Sequence, residues 1–163
     1  MNFLEQLAAE WYEYTGYFVR TNIRANKLPK GGWRHEIDVL AYDPYKSELI
    51  HIETTGGTES WEKIEKSIEK KFSFNMNDYE KILRLTKINK IRKIIICGWS
   101  KKIPLNHKVI NGVDVQSIPE FLNQVLKKLH EHDFLYDSVP EGFPILRTIQ
   151  MMDKFQDLSD KDK

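Results

Sequence analysis

The sequence predicts a three-layer α/β/α sandwich around a mixed central sheet, on three observations. Segments with helical and strand-like periodicity follow one another in the order helix, three strands, two helices, two strands, helices, and a sheet covered by helices is the architecture that buries all their apolar faces. The run from Ile91 to Gly98 is continuously apolar enough to be a central strand covered on both sides. The chain has 163 residues, 40% of them hydrophobic, with no repeat or long linker, which suits one core of ordinary domain size.

Phe3, Leu7, Trp11 and Tyr14 recur at helical spacing and Gly16 follows as a stop, predicting a helix over 3–15. Tyr17 to Ile23 alternates as a strand, and the polar stretch Ala25 to Gly32 reads as a loop. His35 to Tyr42 and Glu48 to Thr55 are two more strands joined by the turn-forming residues Asp43 to Ser47, hence a hairpin. After Gly56 and Gly57, Trp61, Ile64, Ile68 and Phe72 mark one face of a second helix, with Glu59 and Glu62 at its positive end.

A third helix is expected from Asp78 to about Asn89, capped by Asn77 with Glu80 three residues on. Val113 to Gln116 is a short strand, and Ser117 with Glu120 forms a capping box for a helix whose inner face is Leu122, Val125, Leu126 and Leu129. A last helix covers Ile145 to Phe155, leaving a frayed tail over 158–163.

Several function classes are excluded early. The single cysteine, Cys97, rules out an internal disulfide framework and a cysteine-based zinc site. No apolar run approaches the ~20 residues that cross a bilayer, and the first residues lack a basic segment followed by an apolar one, so the chain reads as cytoplasmic with no membrane partner. His130 and His132 sit two apart with no further ligand at useful spacing, which favours surface histidines over a metal site.

Net charge is only +1, but the distribution is uneven. Arg20, Arg24, Lys27, Lys30 and Arg34 fall in a stretch without an acid, and seven more basic residues lie between Arg84 and Lys102. Such stretches suit a phosphate backbone, although solvated surface is the commoner reason for them. Trp33 and Trp99 stand beside basic residues, where they could stack on unpaired bases or serve as half-buried core.

The hairpin carries the chemistry. With Tyr42 opposite Leu49, Ala41 faces Ile50, Val39 faces Ile52 and Ile37 faces Thr54, giving one apolar side. The other side then sets Leu40 opposite His51 and Asp38 opposite Glu53, with Thr55 beyond. Two carboxylates so placed, with Cβ atoms roughly 5 Å apart, repel unless a cation or proton lies between them. Mg²⁺ is held by one or two carboxylates and completes its shell with water and phosphate oxygens. His51 shares this side and either meets a ligand or hydrogen-bonds within a helix–sheet interface. Glu5 shares a helix face with Ala8, Ala9 and Tyr12, whose small residues permit close approach to the sheet.

The run Glu5-Gln6-Leu7-Ala8-Ala9 with Gly16-Tyr17, then Glu36-Ile37-Asp38-Val39-Leu40-Ala41, then Ile52-Glu53-Thr54-Thr55, resembles the PD-(D/E)XK nuclease superfamily, especially small Holliday-junction-resolvase-like and Mrr-like members. The resemblance covers roughly residues 3 to 72 and implies a restriction-endonuclease-like fold over 1–157. It also implies a site made of Glu5, Asp38 and Glu53, with Mg²⁺ or Mn²⁺ on Asp38, Glu53 and the Thr54 carbonyl. Where the family pattern has lysine this chain has Thr55, whose hydroxyl could orient a water but carries no charge.

Members of the superfamily can draw the lysine from a neighbouring helix. Lys63, Lys66, Lys70 and Lys71 are available here, and Lys63 is the choice by nearness in sequence to Glu53. The function implied is metal-dependent endonucleolytic hydrolysis of DNA, duplex or branched, with Arg20, Arg24, Lys27, Lys30 and Arg34 on the backbone. Cutting both strands of a duplex needs two sites, which makes a homodimer a natural assembly. The competing expectation is a non-catalytic module, binding nucleic acid or protein, that keeps the fold without the lysine.

Overall fold

The computed structural model describes residues 2–27, 29–57, 59–85, 87–100 and 102–155, with the backbone alone for Asn26, Lys27 and Arg34. The tail expected over 158–163 lies outside the described residues.

Helix α1 (Phe3–Tyr14) begins at Asn2, whose side chain accepts from the Leu4 and Glu5 amides while Glu5 reaches back to the Asn2 amide. This reciprocal pair satisfies amides that a helix start leaves bare. Three antiparallel strands follow: β1 (Phe18–Lys27), β2 (Trp33–Asp43) and β3 (Glu48–Thr55). Helices α2 (Trp61–Lys71) and α3 (Met76–Leu83) then carry the chain over to β4 (Lys90–Cys97), which runs parallel to β3. After a short 3-10 turn come β5 (Val109–Ile110), β6 (Val113–Gln116), α4 (Ile118–Leu129) and α5 (Pro144–Phe155). The mixed sheet has the order β1-β2-β3-β4-β6-β5 and is flanked by five helices.

Both sheet faces are covered. On one, Leu4, Leu7 and Ala8 of α1, with residues of α4 and α5, bury Val39, Ala41, Ile50, Ile52, Ile94 and Ile96. On the other, Ile64 and Ile68 of α2 cover Ile95 and Cys97, while Phe74 and Tyr79 cover Leu40 and Leu49. No helix among the described residues is long and apolar enough to cross a membrane.

The central hairpin has the expected register: Tyr42 pairs with Leu49, Ala41 with Ile50, Leu40 with His51 and Val39 with Ile52. One side chain departs. Val39 packs beneath α1, but Ile37, expected on the same side, joins Ile23, Ala25, Phe74 and Tyr79 in the opposite cluster. The neighbouring strand is irregular at the same level. Asn22 falls between the pairs Thr21–Val39 and Ile23–Ile37, hence opposite Asp38, and has φ 51°. A left-handed residue interrupts the two-residue alternation of a strand, and asparagine tolerates that conformation better than most. Beyond this level Ile23, Ala25 and Ile37 pack together against Phe74 and Tyr79.

Other boundaries shifted for local reasons. Strand β1 continues to Lys27 through the segment expected as a loop, because Ala25 and Lys27 pair with His35 and Trp33. Helix α3 is capped by Asn75 with Asp78, two residues earlier than the Asn77 expectation, and ends at Leu83 because Arg84 adopts the left-handed conformation. The seven-residue basic run after α3 is partly committed to internal contacts: Lys90 pairs with Glu48 and Arg92 with Asp114. Lys93 donates to the Phe72 and Phe74 carbonyls at 2.9 and 3.4 Å.

Candidate active site

Asp38 and Glu53 meet where β2 and β3 stop pairing as an ordinary ladder. The regular pairs end at Val39–Ile52, and beyond them the Thr54 amide donates to Asp38 Oδ2 at 2.8 Å instead of to a backbone carbonyl. The Asp38 amide reaches Glu53 Oε1 at 3.4 Å. Within a strand the N–H and C=O of one residue face the same edge, so the Thr54 carbonyl also faces the strand that bears Asp38.

The charge that these acids demand comes from the last residue of α2. Lys71 Nζ lies 2.5 Å from Glu53 Oε2 and 3.5 Å from Asp38 Oδ2. Ile64 and Ile68 are the buried residues of α2. Lys71 follows Ile64 by seven positions and Ile68 by three, so it shares their face, whereas Lys63, Lys66 and Lys70 point elsewhere around the helix. Lys63, the choice by nearness in sequence, is exposed and makes no hydrogen bond or ion pair with the carboxylates. The helix end itself favours a cation, and Lys93 fixes the chain just past it through Phe72 and Phe74.

Glu53 is fully buried and Asp38 nearly so, its side chain 13% exposed. Burial pushes the Asp38 carboxyl up to about 6, the Glu53 charge adds to the rise, and Lys71 and the Thr54 amide only partly offset it. Glu5 contributes in the same direction. It therefore lies within electrostatic reach of Asp38, while its carboxylate serves the α1 cap. For Glu53 burial also pushes upward, but His51 and Lys71 outweigh it and hold the carboxyl below its usual range. Burial opposes charge on Lys71 too, and the two acids override it.

Behind Glu53 stands a polar chain. His51 Nε2 lies 2.8 Å from Glu53 Oε1 and its Nδ1 lies 2.7 Å from the Tyr79 hydroxyl. Burial pushes the pKa of the His51 ring down and that of the Tyr79 hydroxyl up, and both side chains are fully enclosed. Of the two settings the sequence left open for His51, the helix–sheet interface is the one found. Lys71 is one of the four lysines that the sequence offers, and its position on the Ile64–Ile68 face is a usable signal; nothing in the sequence marks Tyr79.

The donor set suits a hard divalent ion. It is all oxygen: two carboxylates from adjacent strands and the Thr54 carbonyl, a set Mg²⁺ or Mn²⁺ accepts with waters completing the shell. Asp38 Oδ1 takes no hydrogen bond among the described residues, and the Lys71 ammonium already marks where positive charge is held. Among the described residues no group of three His, Cys, Asp or Glu is arranged for a metal. Thr55 pairs with Cys97 on β4 and its hydroxyl takes no hydrogen bond among the described residues.

The basic stretch lies on the edge strand beside Asp38. Arg20 and Arg24 are exposed on β1, and Arg20 also donates to the Ile82 carbonyl at 3.0 Å. Lys30 is exposed in the turn after β1, and the side chains of Lys27 and Arg34 lie outside the described residues. Arg24, Trp33 and Lys81 line one shallow cavity of about 270 Å³. Trp33 and Trp99 are 46% and 61% exposed rather than core, and the Trp99 indole N–H donates to the Gly56 carbonyl at 2.9 Å.

No protein-family model matches the chain, and neither a curated protein nor a solved structure matches it.

Proposed function

We propose that the chain is a divalent-metal-dependent nuclease of the PD-(D/E)XK type, hydrolysing DNA phosphodiester bonds, in which Lys71 takes the part that Thr55 cannot. The observation that carries this reading is the convergence of Asp38, Glu53 and Lys71 from β2, β3 and the end of α2 on one partly exposed point. Hairpin carboxylates with an ammonium between them supply the residue types of that chemistry in the order the sequence motif requires.

Asp38, Glu53 and the Thr54 carbonyl would hold Mg²⁺ or Mn²⁺. When bound, the ion supplies a water of lowered pKa and positive charge against the phosphate. Lys71, one-third exposed, would turn its N–H groups to the phosphate oxygens, where developing charge is stabilised. Arg20, Arg24 and Lys30 neutralise flanking phosphates without reading bases.

One observation favours the second reading, a non-catalytic module that binds nucleic acid or protein. The Lys71 ammonium already neutralises part of the acidic pair, and a site satisfied internally has less need of a metal. Incubating the protein with supercoiled, linear and branched DNA in Mg²⁺ or Mn²⁺ separates the two. Metal-dependent cleavage lost in Asp38→Asn supports the nuclease; salt-sensitive binding without cleavage supports the module.

A further inference from the structure

We propose that His51 and Tyr79 are positioning residues for Glu53: a two-bond chain from the core that fixes which carboxylate oxygen is turned to the cation. This deepens the nuclease reading and rests on it for its catalytic meaning.

The direction of the chain follows from its ends. An ionised Glu53 only accepts, so the hydrogen at 2.8 Å belongs to His51 Nε2. The neutral ring then has a lone pair on Nδ1, and the Tyr79 hydroxyl at 2.7 Å donates to it. Tyr79 thus selects the tautomer that His51 needs to hold Glu53 Oε1, which leaves Oε2 to face Lys71.

The chain is rigid as well as directed. The His51 ring packs against Phe72 and Phe74 with centroids 4.5 and 5.9 Å apart. His51, Glu53 and Tyr79 are each 0% exposed, so the chain starts at Tyr79 in the core. Packing alone is served equally well by apolar side chains, which avoid the cost of burying polar ones. A first ligand that must keep one orientation gives these polar groups a reason to be there, because a second layer of hydrogen bonds tunes and orients a metal's ligands.

The test uses Tyr79→Phe, His51→Leu and, as rescue, His51→Gln, whose amide can still donate to Glu53. Mn²⁺ affinity is measured by calorimetry on folded protein, and the Glu53 side chain is read in crystals of each variant. His51→Leu is expected to weaken Mn²⁺ binding about 10- to 100-fold, Tyr79→Phe less, and His51→Gln to recover most of the loss. Wild-type affinity in both His51→Leu and Tyr79→Phe, with both folded, overturns the proposal. The ¹⁵N spectrum of His51 gives a metal-independent check: a protonated Nε2 with bare Nδ1 supports it, and the reverse tautomer overturns it. If the wild-type protein takes up no Mn²⁺, the nuclease reading falls by itself. Positioning is then decided by Glu53 in His51→Leu, supported by a swung carboxylate and overturned by an unmoved one.

Discussion

Lys71 and Glu53 are eighteen residues apart in sequence, yet Lys71 Nζ lies 2.5 Å from Glu53 Oε2, joining the end of a helix to the middle of a buried strand. In the proposed nuclease reading, Lys71 stands in for the lysine that the family pattern has two positions along the strand, where this chain has Thr55. Lys71→Met is expected to lower metal-dependent cleavage at least 100-fold, while Lys63→Met stays within about twofold of wild type. Lys71→Met also leaves the Glu53 charge without its partner, which costs about 1–3 kcal/mol in a denaturant titration. Equal losses for the two variants would contradict the assignment.

Asp38 gives a pH signature. Its folded pKa of about 6 stands above the 3.8 of a free aspartate, so between these values the folded state binds more protons than the unfolded one. The contribution of this group is fully present below pH ~4 and is lost as pH rises through about 6. Asp38→Asn keeps an acceptor for the Thr54 amide and removes the charge. It is expected to be about 1–2 kcal/mol more stable than wild type at pH 7 and to lack the slope between pH 4 and 6, measured by urea unfolding at a series of pH values. Mn²⁺ affinity of the wild type rises over the same interval, since only the ionised carboxyl binds.

How much of this was legible can be judged residue by residue. The register of the hairpin, and with it the meeting of Asp38 and Glu53, follows from the alternation of Val39, Ala41, Ile50 and Ile52 against the polar residues between them. Helical spacing located α1, α2 and α4. Nearness in sequence points to Lys63, whereas helix phase points to Lys71, which lies on the Ile64–Ile68 face as Lys63 does not. The face change at Ile37 breaks the two-residue alternation from which its side is read, at the level where Asn22 of the neighbouring strand is left-handed. The extension of β1 to Lys27 comes from pairing with β2 rather than from its own polar composition.

That backbone angle can be tested by itself. Asn22→Gly removes the steric cost of φ 51° and is expected to be neutral or to stabilise by up to ~1 kcal/mol, whereas Asn22→Val costs about 1–2 kcal/mol. Thermal unfolding of both variants checks this, and a stabilising valine would contradict the left-handed assignment.

Lys93 supports the site from behind by donating to the Phe72 and Phe74 carbonyls. Lys93→Met leaves those carbonyls short of a donor at the end of α2. It is expected to destabilise by about 1–3 kcal/mol and to reduce cleavage through misplacement of Lys71, with Mn²⁺ affinity kept within threefold. Calorimetric Mn²⁺ titration beside a cleavage assay separates the two effects.

The most direct measurement is anomalous scattering from a crystal soaked in Mn²⁺. A peak about 2.2 Å from oxygens of both Asp38 and Glu53, with the Lys71 ammonium moved aside, is the predicted result. An ammonium still bridging the two carboxylates at millimolar Mn²⁺, with no peak between them, would contradict the account.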